Sequence, residues 1–197
     1  MKRGWIRLLA GVSGVLVAGF WTGGRMERSA VFAAPPERAN ELTLAGLRPG
    51  TDTKATAISR YKKASRSDRH SGEYSWNDGC RHEVLHVAAG PSGTLQEVRV
   101  AESPEESKFA CAKPIRSLWR TGRNLAVGDP SKRVIALYGE PDSRSPSSKD
   151  GQTLELLYYA FDWAGPEVPQ VLVVLCTMEK DGKPGRVVEI TLDASSL

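Results

Sequence analysis

LAVGDPSKRVIALYGEPDS, from Leu125 to Ser143, and LRPGTDTKATAISRYKKAS, from Leu47 to Ser65, read as a strong and a faint copy of one pattern. With the two in register, Leu47, Gly50, Lys54 and Ser65 fall on Leu125, Gly128, Lys132 and Ser143. Each copy is a short turn, a capped helix and a break. In the stronger one Asp129 caps and Pro130 opens the first turn. Val134, Ile135, Leu137 and Tyr138 lie inside, and Gly139 stops the helix with Pro141 beyond. Helix ends favour this order, because proline lacks an N–H that the first turn would leave unbonded and glycine adopts the left-handed backbone of the stop. In the fainter copy Gly50-Thr51-Asp52 supplies the turn and cap of a helix predicted from about Thr53 to Lys63, with Ala55, Ile58 and Tyr61 near the helical period. Tyr61-Lys62-Lys63-Ala64 replaces the glycine stop there, which predicts a helix that runs on.

Apolar strand-like runs follow each copy. Cys80 to Ala88, Gly-Pro-Ser-Gly and Thr94 to Val100 form a hairpin by pattern, as do Val171 to Met178, a Lys-Asp-Gly-Lys-Pro-Gly turn and Arg186 to Leu192. TLQEVRV and RVVEITL align with Glu97 on Glu189, Val98 on Ile190 and Val100 on Leu192. A short strand is predicted at Glu73 to Trp76, a two-sided apolar strand at Leu154 to Trp163, and a polar loop from Ser143 to Gly151. The fold class predicted is α+β: two tandem units, each a short helix or helix pair packed on a three- to four-stranded antiparallel sheet. Residues 1–33 are read as a signal peptide or N-terminal anchor and 34–43 as a linker. Residues 44–101 form the first repeat, 102–122 a connector and 123–193 the second repeat.

The run Gly-Asp-Pro-Ser…Val…Leu-Tyr-Gly-Glu-Pro-Asp, followed by the aromatic strand LLYYAFDW and a hairpin ending Val-Val-Glu-Ile, resembles the SmpA/OmlA (BamE-like) domain. The tandem arrangement resembles the β-lactamase-inhibitor proteins. The resemblance spans Leu44 to Leu192 and is stronger in the second unit. It implies an exported protein without catalytic chemistry that binds another protein through a concave sheet face.

The chain has 197 residues, with 27 basic and 23 acidic side chains. Lys2, Arg3, Arg7, Arg25, Arg28 and Glu27 lie in the first 33, so the remainder carries 22 of each sign. A neutral body argues against nucleic acid as partner, since phosphate binding needs a basic excess on one face. Met1 to Arg7 is a basic n-region, Leu8 to Trp21 is apolar, and Val31-Phe32-Ala33 offers a cleavage site, the pattern of a secretory signal. The apolar run, about 14 residues, is short of the ~20 that a membrane span needs. The expected location is periplasmic or secreted; an uncleaved segment would instead anchor the protein in the inner membrane facing the periplasm. No cysteine follows the apolar run before Cys80, which excludes lipid attachment at a lipobox. Export permits one disulfide among Cys80, Cys111 and Cys176. Cys176 sits in VLVVLCTM as an apolar core residue, leaving Cys80 and Cys111 as the expected bridge.

Three features bear on function. Tyr159, Phe161 and Trp163, with Tyr74 and Trp76, are expected as an aromatic stripe on an exposed sheet face, suited to binding another protein. The alternative for these rings is burial. His82-Glu83-Val84-Leu85-His86 is a literal H-E-x-x-H, which on a helix would set two imidazoles on a zinc ion with Glu83 as base. The repeat instead makes this segment a strand, where Glu83 faces away from His82 and His86. Lys54, Arg60, Lys62, Lys63, Arg66 and Arg69 cluster against one acid, Asp68, a solvated face or a surface for an acidic partner. The function expected is an exported, non-enzymatic protein-binding module without cofactor. The alternatives are a zinc-dependent hydrolase using HEVLH and a membrane-anchored structural protein of the envelope.

Overall fold

The computed structural model describes residues 40–68, 70–103, 119–149, 151–161, 171–178 and 185–194. Residues from Pro36 onward form one compact unit. Its elements, in chain order, are α1 (Lys54–Tyr61), β1 (Arg66–Asp68), β2 (Glu73–Asp78), β3 (Glu83–Ala89), β4 (Leu95–Glu102), α2 (Ser131–Tyr138), β5 (Ser143–Lys149), β6 (Gln152–Ala160), β7 (Val171–Thr177) and β8 (Val187–Asp193). All eight strands belong to one antiparallel sheet in the order β1-β2-β3-β4-β8-β7-β6-β5.

This overturns the expected two tandem helix-on-sheet units. The last strand of each half, β4 and β8, would be the edge of a separate sheet. An edge leaves a row of N–H and C=O groups unpaired. Here the two edges pair with each other, and a single core runs beneath both halves. The register is symmetric. Arg99 stands opposite Thr191, its own counterpart in the TLQEVRV/RVVEITL alignment, while Val98 faces Leu192 and Val100 faces Ile190.

Within the single sheet the same local contacts recur. Gly50 N–H donates to Leu95 O at 2.7 Å and Gly128 N–H to Val187 O at 2.8 Å; Lys54 N–H donates to Gly93 O and Ser131 N–H to Gly185 O. Each helix start is thus clamped to the turn of its own hairpin. Tyr61 lies 5.7 Å from Trp76 at 52°, and Tyr138 lies 5.8 Å from Tyr159 at 53°. The helices end alike as well. Lys62 takes φ 64° and donates to Ile58 O, as Gly139 takes φ 76° and donates to Ile135 O, so the first helix does not run on. A lysine in left-handed geometry is strained, and packing of Tyr61 against Trp76 and Trp119 holds it there. The caps shift by one residue from expectation: Thr53 and Pro130 occupy the N-cap positions, and Asp129 instead accepts the Ala126 N–H.

Both helices cover one face. Ala57 of α1 and Val134 and Tyr138 of α2 join Leu85, Val87, Val98, Val100, Ile190, Leu192, Leu172 and Val174 in the core. Side chains alternate across a strand, so neighbours in sequence point to the opposite face, which no described helix covers. The sequence reading of Ser143–Gly151 as loop fails because β5 is an edge strand of serines, Arg144 and Pro146 that is exposed over most of its length, so it carries no apolar alternation to reveal it. Pro146 lacks a ladder donor and suits an edge.

The two helix tyrosines also tie down the chain that precedes each half. The Tyr61 hydroxyl donates to Ala45 O. The Tyr138 hydroxyl donates to Glu41 Oε2 and contacts Thr121 Oγ1, both at 2.7 Å. Glu41 is 2 % exposed, and its carboxylate also accepts N–H groups from Leu42, Thr43, Gly122 and Arg123. Burial first, and then the Glu41 charge, hold the Tyr138 hydroxyl above its ordinary pKa of 10.0.

Candidate functional site on the open sheet face

Chemistry on the open face changes between β8 and β7. In the first half the register builds two cross-strand rows. Arg66, Ser75, His86 and Arg99 lie side by side on β1, β2, β3 and β4, with Thr191 next on β8. Two residues along each strand, roughly 7 Å away by strand rise, Asp68, Glu73, Ala88, Glu97 and Asp193 form the second row. One row offers hydrogen-bond donors, the other carboxylates. Ala88 is the small member of the acidic row. A cleft of about 180 Å³ opens around it, lined by both rows.

Two side chains of the cleft are partly buried, and burial displaces their pKa values in opposite directions. Burial holds the His86 imidazole below its ordinary pKa, with Arg99 adding to the effect against Glu189 and Glu73. Burial likewise raises the Glu97 carboxyl; Arg99 opposes this, and Asp193, Glu189 and Glu73 reinforce it. Arg99 Nε lies 3.5 Å from Glu97 Oε1 but is buried without a hydrogen bond of good geometry. Lys149 Nζ reaches Glu189 Oε2 at 2.6 Å. Asp68 accepts the N–H groups of His70 and Ser71, which lowers its pKa, chiefly through the His70 bond.

On β7 and β6 the same face is apolar. Val171, Val173 and Leu175 on β7 and Leu156 and Tyr158 on β6 are all half-buried there, with Val173 beside Tyr158 and Leu175 beside Leu156. Following the sheet register, Val173 stands where His86 stands in the first half, Tyr158 where Ser75 stands, and Leu156 where Glu73 stands.

The residues singled out in the sequence fall elsewhere. Trp76 (5 % exposed), Tyr159 (0 %) and Phe161 (7 %) are buried in the core, and Tyr74 packs partly buried against it. They form no stripe on the open face; the helices cover the face to which β6 turns Leu157 and Tyr159, leaving Leu156 and Tyr158 as the ones outside. Trp163 lies outside the described residues. HEVLH is not a helix: His82 occupies a turn with φ 54°, and Glu83 begins β3. The one-sided presentation of both imidazoles that the zinc reading required is therefore missing. Among the described residues no three His, Cys, Asp or Glu side chains group as metal ligands. Cys176 is a free, buried thiol whose pKa burial pushes up to about 12; Cys111 lies outside the described residues. Lys54, Arg60, Lys62, Lys63 and Arg66 are exposed.

Ser75 and Arg99 were missed as site residues, whereas Arg66 and Asp68 were expected only as members of the basic cluster and its one acid. The available signal was the strict alternation of LQEVRVAE, which sets Glu97 and Arg99 on one side of β4, and the single histidine in the otherwise apolar VLHV.

No family model matches the chain, and no curated protein matches it. Among solved structures, it is similar to a DUF4309 family protein (YjgB) from Bacillus subtilis, with TM-score 0.45 and 11 % identity over 79 % of this chain and 88 % of that one. It is also similar to a cysteine-rich secretory protein from Staphylococcus aureus, with TM-score 0.42 and 13 % identity over 80 % of this chain and 48 % of that one.

Proposed function

We propose that the protein is an exported, non-enzymatic binding module of the cell envelope or extracellular space, which docks another protein on the open face of its sheet. The observation that carries this reading is the strip of partly buried Leu156, Tyr158, Val171, Val173 and Leu175 on the open face. A sheet with one face on the core ordinarily turns polar side chains to water on the other. A contiguous apolar patch rimmed by charge is instead the composition of a contact surface. The basic and apolar leader from Met1 to Ala33 supports export, and the resemblance to SmpA/OmlA domains fits the same reading. Cys80–Cys111 is the proposed disulfide, supported by the burial of Cys176. Thiol titration of the unreduced protein in denaturant should find one reactive group, and three after reduction.

The docking test is site-specific photo-crosslinking in the native envelope. A photoreactive residue at Val173 or Leu156 should capture a discrete protein. The same residue at Ser59, exposed on the far side of α1, should not. Val173→Glu should abolish capture from Leu156 while leaving the circular dichroism unchanged. Capture independent of position, or unaffected by Val173→Glu, would refute docking on this face. The mass of the mature N-terminus separates a secreted protein from one that keeps its leader as an anchor.

A further inference from the structure

The geometry points to a second, small-molecule site on the polar half of the open face: the cleft between the donor row and the acidic row binds the α-ammonium and α-carboxylate of a free amino acid. The inference does not rest on protein docking, which uses the other half of the face. It rests on two opposed rows with a space between them. Arg66, Ser75, His86 and Arg99 present guanidinium, hydroxyl and imidazole donors along one wall. Asp68, Glu73 and Glu97 present carboxylates along the other. A site for a simple anion would have no use for the second wall, and a site for a simple cation none for the first. A compact zwitterion uses both. Its two ends are held a fixed, short distance apart, and hydrogen bonds of ~2.8 Å at each end suit rows roughly 7 Å apart whose side chains lean inward.

Ala88 makes the room. It sits between Glu73 and Glu97 in the acidic row, so a larger side chain there would occupy the space the ligand needs. In the second half Leu175 holds the corresponding position, with Leu156 and Tyr158 where Glu73 and Ser75 stand, so the matched charged rows are not repeated there. Arg99 carries a further indication. Its buried Nε has no well-formed hydrogen bond, and the Glu97 contact at 3.5 Å is loose, so the pair can open toward a ligand without breaking a tight internal bond. Because recognition is of the two charged ends, the smallest amino acid should bind.

The test is nuclear magnetic resonance of the His86 imidazole during titration with glycine at constant ionic strength and neutral pH, with acetate and methylammonium as the two half-ligands. Glycine should shift the His86 signals saturably, at least about tenfold more tightly than either half-ligand, and leave His82, in the turn before β3, unmoved. Glu97→Gln should weaken glycine binding about tenfold without changing acetate, and Arg99→Gln should weaken both. Glu73→Gln and Arg66→Gln, at exposed positions, repeat the comparison without disturbing β4. Ala88→Leu should close the site. An absent or unsaturable glycine shift, or equal binding of acetate or methylammonium alone, would overturn the inference. Val173→Glu should leave glycine binding intact, so failure of docking and failure of this site are read separately.

Discussion

The two halves of the sheet share a backbone plan and differ in what their open face presents. Where the first half turns Glu73, Ser75, His86 and Arg99 outward, the second turns Leu156, Tyr158, Val173 and Thr191. The covered faces show no such divergence: Leu85, Val87, Val98 and Val100 in one half match Leu172, Val174, Ile190 and Leu192 in the other, all at most 1 % exposed. Packing against a helix and the neighbouring strands constrains that side to aliphatic residues of similar size. Water constrains the other side much less. The difference between the halves is therefore where function is to be sought, and their likeness is where stability is to be measured.

The largest effects should come from the likeness. Trp76→Ala and Tyr159→Ala remove counterpart rings that pack on Tyr61 and Tyr138 in nearly the same geometry. Each should cost about 3–5 kcal/mol in urea denaturation, in a single transition for the whole sheet, because β4 and β8 join the halves. Two separate transitions, or a cost confined to one variant, would show that the halves do not share one core.

Both helices, the stop of the second at Gly139 and the four central strands were legible, because periodic apolar residues and that glycine announce them locally, whereas the stop of the first at Lys62 carries no glycine to mark it. The joining of β4 to β8 was not. Strand pairing across some 90 residues of chain leaves no local mark, and an apolar two-sided strand is equally consistent with a sheet edge buried elsewhere. The exposed edges β1 and β5 were illegible for a different reason: neither buries a face, so neither alternates. The site was missed through parity. Leu154 to Trp163 is apolar at odd and even positions alike, so nothing in that run says whether Tyr158 or Tyr159 faces the helices. Of the two readings given for these rings, Tyr159 and Phe161 take the buried one.

A smaller contrast separates the two tyrosine anchors. Tyr138 bonds a buried carboxylate, whereas Tyr61 bonds a main-chain carbonyl. Glu41→Ala should leave the N–H groups of Leu42, Thr43 and Arg123 short of an acceptor, while Gly122 N–H keeps Thr43 O and the Tyr138 hydroxyl keeps Thr121 Oγ1. It should cost about 3 kcal/mol, whereas Tyr61→Phe loses one bond at about 1 kcal/mol. Equal losses in chemical denaturation would mean that water replaces the Glu41 carboxylate.

The smallest effect is a pH dependence confined to the polar half. Glu97 is held above its ordinary 4.5 by burial, so the fold favours its protonated form; its contribution is fully present below pH 4.5 and is lost as pH rises through the folded value. His86 is held below 6.5, chiefly by burial, so the fold favours the neutral ring; its contribution is present above pH 6.5 and is lost as pH falls through the folded value. Around His86 the facing charges are Arg99, Glu189, Lys149 and Glu73, with Asp193 acting on Glu97, and none of them reverses either direction. Urea midpoints measured from pH 4 to 8 should therefore lose their decline on the rising side in Glu97→Gln and on the falling side in His86→Gln. Both groups are partly solvated, which keeps each change small. Val173→Ala, at the position matching His86, has no titrating group and should shift the whole curve without changing its shape. A change of shape there would mean that Val173 shields the second-half charges that already reach His86, Glu189 and Lys149, so that the apolar strip tunes the polar half as well as docking a partner.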